Sequence, residues 1–101
     1  MALATVNKEL AVTNPFFEVS FQPSVLVFGR TAGGNVTALR AIVGAATGLS
    51  STNGLAVDLV NNELLVPDGL INSATVNART ATGNVAPLRT FIGANTLLNN
   101  P

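Results

Sequence analysis

Apolar residues fall in short runs along this chain, four to six residues long, and each run is closed by Gly, Asn, Asp or Pro. Runs of that length suit strands, and Gly or Asn interrupts every longer window in which a helical period could build. The runs are rich in Val, Leu, Ile, Thr and Phe, which fit a pleated surface. In the second half of the chain the pattern predicts strands at Leu55–Leu59, Glu63–Pro67, Ala74–Ala78 and Leu88–Ile92. Breakers separate them at Val60-Asn61-Asn62, Asp68-Gly69 and Thr82-Gly83-Asn84. The first half predicts the same series at Met1–Thr5, Glu9–Thr13, Ser24–Phe28 and Leu39–Val43.

The two halves are copies of one unit. Arg30–Ala45 recurs 49 residues later as Arg79–Ala94, with ten of 16 positions identical. Val6–Val12 recurs as Val60–Val66 at an offset of 54, with five of seven identical. The five-residue difference between the offsets marks an insertion in the first copy, at Pro15–Pro23. The units divide as residues 1–54, carrying the insertion at 15–23, and residues 55–101. Nothing before Met1 matches the lead-in Thr47–Gly54, and Asn95–Pro101 matches only its start, so the expectation is a chain cut from a longer array.

Four short antiparallel strands in a unit of about 50 residues predict a β-propeller blade. The segments Leu55–Asp58, Asn62–Val66 and Ala74–Gly93 resemble bacterial NHL-like propeller repeats, and the likeness covers nearly the whole chain. The first copy departs from it twice, with Ala4 in place of Asp58 and with the enlarged Pro15–Pro23 segment. The expected fold is therefore all-β: two four-stranded blades belonging to a six-bladed propeller. Oligomerisation or blades outside this chain would complete it. Two blades leave apolar faces bare on two sides, and repeat units stack to bury such faces. The six blades that the resemblance implies correspond to a ring of three chains, closed head to tail.

Composition supports burial against further copies. The chain has 101 residues, 48% hydrophobic and only 10% charged, with five basic and five acidic side chains and no net charge. So few charges serve a lone soluble monomer poorly. Scattered basic residues without net positive charge also argue against nucleic acid as a partner. No Cys is present, which excludes disulfide and thiolate-metal chemistry. No His is present, which removes the usual general base and any Ser-His-Asp or Cys-His arrangement. No apolar stretch approaches about 18 residues, so no transmembrane helix or membrane partner is expected. The N-terminus lacks the layout of a signal peptide. As written the chain is expected to stay cytoplasmic, while a longer parent is free to be secreted.

Strands that alternate in direction bring Pro15–Pro23, Ala45–Gly54 and Asp68–Ser73 to one end of the blades, and in similar propellers that face usually carries the ligand site. Phe16, Phe17 and Phe21 make up three of the five Phe residues. Exposed, they would anchor a protein partner; packed on the blade edge or a neighbouring subunit, they would be structural. Asn14, Asp68 and Asn72 could offer oxygens to a cation or a carbohydrate hydroxyl, and are equally suited to bond their own turn backbone. Asp58 suits turn capping better than metal ligation. Arg30 with Arg79, and Arg40 with Arg89, occupy matching places; a ring of positive charge is one reading, strand-end and edge-strand structure the simpler one. Gly33-Gly34-Asn35 and Thr82-Gly83-Asn84 are turn chemistry, and no phosphate-loop lysine follows. Asn35-Val36-Thr37 matches a glycosylation acceptor only formally.

No catalytic constellation emerges. Some six-bladed relatives are metal-dependent hydrolases with an axial acidic or His cluster, but only Ala4 and Asp58 stand at the matching strand ends, so that activity does not carry over. The expected function is a non-catalytic binding scaffold without cofactor or metal, a homotrimer offering its loop face to a protein or carbohydrate ligand. The alternatives are a purely structural piece of a larger repeat protein, and a fragment of a propeller enzyme whose catalytic residues lie elsewhere.

Overall fold

A computed structural model describes residues 2–4, 8–14, 23–52 and 54–101. The chain is all-β, with two antiparallel four-stranded sheets in sequence order. The first holds β1 (Ala2–Ala4), β2 (Glu9–Asn14), β3 (Ser24–Gly29) and β4 (Arg40–Val43). The second holds β5 (Ala56–Asp58), β6 (Glu63–Asp68), β7 (Ser73–Ala78) and β8 (Arg89–Ile92). Every predicted strand is present, with no end shifted by more than one residue. Among the described residues helical structure is confined to single 3-10 turns at Ala45–Thr47 and Ala94–Thr96, which the hydrophobic pattern did not predict.

The sheets repeat each other in register. Glu9 pairs with Gly29 and Val12 with Leu26 in the first; Glu63 pairs with Ala78 and Val66 with Thr75 in the second. Period-two alternation therefore gives each sheet two chemically distinct faces. On one face of the first sheet stand Glu9, Ala11, Val25, Val27, Arg40 and Ile42; the same face of the second carries Glu63, Leu65, Ala74, Val76, Arg89 and Phe91.

The core lies between the sheets. Val25 and Ile42 of the first pack with Leu64 and Val66 of the second, flanked by Leu49, Leu55, Val57, Ala81 and Val85. Backbone bonds stitch the junction: Gly83 donates to Ala41 O at 2.6 Å, and Val43 donates to Gly83 O at 3.2 Å. The connecting segment is held as well, through a bridge between Thr52 and Asp68 and a bond from Gly69 N to Ser51 O at 3.1 Å.

Candidate functional site

Asn14 and Asp68 end their strands at matching positions, and the structure treats them differently. Asn14 is exposed. Asp68 is 1% exposed, and its carboxylate is spent inside the fold. It accepts from Ser50 N at 2.7 Å, Ser50 Oγ at 2.8 Å, Ser51 N at 3.1 Å and Leu70 N at 3.1 Å. A buried carboxylate is tolerated where several donors surround it, as here. Asn72 is exposed, in the left-handed region at φ 50, and its side-chain oxygen accepts from Asn100 N at 2.7 Å. Phe16, Phe17 and Phe21 lie outside the described residues.

Asp58 caps its own turn. It accepts from Val60 N, Asn61 N and Asn61 Nδ2 at 2.8–3.1 Å, and the Asn61 side chain is the leading cause of its lowered pKa. Among the described residues no three acidic side chains gather as a metal site. Nor is any helix there long and apolar enough to cross a membrane.

The charged residues assemble into clamps whose geometry separates the two sheets. Glu9 on β2 accepts a two-pronged bond from Arg40 on β4, at 2.7 and 2.9 Å. It also accepts from Arg79, which reaches across from the second sheet at 2.7 Å. Glu9 and Arg79 are each 13% exposed, so this three-membered clamp is largely shielded from solvent. The Arg40 bond, seconded by Arg79, holds the Glu9 carboxyl below its ordinary pKa against the opposing effect of burial. The second sheet repeats half of this. Glu63 accepts a two-pronged bond from Arg89 at 3.0 and 3.1 Å, but no third residue joins among the described residues, and Arg89 is 55% exposed.

The counterpart of Arg79 is Arg30. It is exposed, and among the described residues its side chain makes no hydrogen bond or ion pair. The sequence singled out these arginines as matched pairs. It did not show Glu9 and Glu63 as their anions, because those lie in the other repeated block at a different offset.

A second relationship follows the same division. Asn84, in the loop before β8, lies against Gly44 and accepts from Ala46 N at 2.7 Å. Gly44 has φ 131, and a Cβ there would overlap the Asn84 side chain. Its counterpart Gly93 has the same kind of backbone, φ 112, with nothing within 4 Å of where a Cβ would stand.

What the first sheet buries, the second leaves open. Ile42 is 1% exposed and its counterpart Phe91 is 48% exposed; Thr47 is buried and its counterpart Thr96 only half-buried. Two adjoining depressions cover this open face. One of about 230 Å³ is lined by Val57, Asp58, Glu63, Leu65, Arg89 and Phe91. The other, of about 330 Å³, is lined by Leu65, Ala74, Phe91, Thr96 and Leu98.

No family model, curated protein or solved structure matches this chain.

Proposed function

We propose that the two sheets are blades of an NHL-like propeller and that the chain is a non-catalytic repeat module, completed by association with copies of itself. The observation that carries this reading is the open face of the second sheet. It repeats the face with which the first sheet holds the second, down to Glu63, Arg89 and Gly93, yet Leu65, Arg89 and Phe91 on it stay exposed among the described residues. Apolar surface around Leu65 and Phe91 left in water favours a partner of matching shape. Three chains complete six blades, and the assembled ring presents its loop end, with Asn14, Asn72 and the Phe16, Phe17 and Phe21 segment, to a protein or carbohydrate ligand.

The same open face would equally accept a following repeat in a longer chain, which is the second reading. Sedimentation velocity separates the two: one boundary heavier than a single chain supports self-association, and a one-chain boundary assigns the face to other blades. Replacing Phe16, Phe17 and Phe21 together with Ser tests the scaffold role. Loss of glycan-array or protein capture with unchanged sedimentation supports it, and unchanged capture contradicts it.

A further inference from the structure

Resting on that reading of self-association, we infer that the contact between copies reproduces the sheet-to-sheet junction inside the chain, with Arg30 of a second copy completing the Glu63–Arg89 clamp and its Asn35 seated against Gly93.

Both halves of this contact stand ready at opposite sides of the chain. The donating half of the internal junction is the loop from Arg79 to Val85, and the loop from Arg30 to Val36 has the same backbone bonding. Arg30 N donates to Lys8 O at 2.8 Å, as Arg79 N does to Asn62 O at 2.9 Å. Ala32 N reaches Gly29 O and Ala81 N reaches Ala78 O, both at 3.0 Å. Val36 N reaches Gly34 O and Val85 N reaches Gly83 O, both at 3.1 Å. Gly34 and Gly83 also share a left-handed backbone, at φ 74 and 84. The first sheet thus displays a second copy of the shape that Gly44 and Glu9 receive.

The accepting half is duplicated as closely. Thr47 Oγ1 donates to Gly44 O at 2.7 Å, and Thr96 Oγ1 to Gly93 O at 2.6 Å. Leu49 N donates to Thr47 Oγ1 at 3.3 Å, and Leu98 N to Thr96 Oγ1 at 3.2 Å. The Gly93 socket therefore has the form of the Gly44 socket with its Asn missing. Complementary charge agrees: Glu63 has only Arg89 beside it where Glu9 has two cations, and the other side carries Arg30 without a partner among the described residues.

The apolar surfaces agree as well. Register places Leu10, Val12, Leu26 and Phe28 on the face of the first sheet that corresponds to Leu64, Val66, Thr75 and Asn77. All four are half-buried. They would meet Leu65, Val76 and Phe91 of the neighbouring copy. The contact is head to tail, so each copy offers one used and one unused surface until a ring closes.

The test compares wild type with Arg30→Glu, Asn35→Ala and the double variant Arg30→Glu/Glu63→Arg, using mass in solution over a dilution series. Arg30 and Asn35 are exposed, so neither single substitution disturbs the fold of one chain. Arg30→Glu is expected to raise the dissociation constant about tenfold or more, because two carboxylates then meet in a desolvated contact. Asn35→Ala should weaken association in the same direction. The double variant restores one anion between two cations, with the anion now on the other copy, and should recover most of the association. Wild type that assembles while both single variants assemble equally well overturns the inferred contact and leaves self-association standing. Loss in Arg30→Glu without recovery in the double variant overturns the Arg30–Glu63 pairing. Wild type that stays monomeric overturns both the contact and the reading beneath it.

Discussion

Asn84 occupies the space that any side chain on Gly44 would need, and its oxygen accepts from the backbone of Ala46 at 2.7 Å. This amide thus joins the Gly83 backbone bonds and the Arg79–Glu9 pair in fixing how the second sheet sits on the first. Two sheets with apolar faces can pack at many offsets, since the hydrophobic effect has no direction. A polar side chain seated against a glycine, bonded within its socket, selects one of them.

Gly44→Ala is therefore expected to destabilise the chain by about 2–4 kcal/mol, combining a backbone conformation that L-residues rarely adopt with overlap at Asn84. Gly29→Ala is the control. Gly29 has no positive φ and nothing within 4 Å of an added Cβ, so its change should stay within about 1 kcal/mol. Urea denaturation followed by circular dichroism measures both, and equal effects would contradict the role given to Asn84.

Glu9→Gln should cost about 1–3 kcal/mol, because it leaves Arg40 and Arg79 without their shared anion in a largely shielded site. Glu63→Gln should cost the single chain less, since Arg89 stays open to water. The measurement is again the denaturation midpoint at neutral pH.

Acid distinguishes the same clamp. The Glu9 carboxyl titrates below its ordinary 4.5 in the folded chain, mainly through Arg40. The unfolded chain therefore binds its proton first, and stability falls as pH drops below 4.5 and through the folded value. Above 4.5 the contribution is fully present. Stability of Glu9→Gln should decline less steeply across that window, and parallel curves for the two proteins would contradict the assignment. Asp58 is lowered in the same direction, so some acid sensitivity persists in the variant.

Much of this architecture was legible in the chain. The strands were, because period-two runs are closed by Asn, Asp and Gly at every turn, and because the repeat shows each element twice. Asp68 was less so. A carboxylate next to Gly69 reads as a turn residue, and nothing local says that it turns back to hold Ser50 and Ser51, 18 and 17 positions earlier. The clamps were legible as matched arginines only. Their anions come into reach through the β2–β3–β4 register, and Arg79 reaches Glu9 across 70 residues only once the sheets have stacked. The Gly44–Asn84 contact depends wholly on that stacking.

Asp68→Ala should release the connecting segment. Four donated bonds lose their acceptor at a buried site, each backbone amide left unsatisfied costing about 1–3 kcal/mol unless water enters. Hydrogen exchange is expected to accelerate at Ser50, Ser51 and Leu70 before it does in β7. Unchanged protection at those amides would contradict the staple.

If the open face of the second sheet receives the first sheet of another copy, the chain associates in solution. Absolute mass by light scattering on a size-exclusion column, over a dilution series, tests it most directly. The account predicts one closed species of three chain masses that persists on dilution. A mass of 10.3 kDa, that of one chain, at every concentration would contradict it.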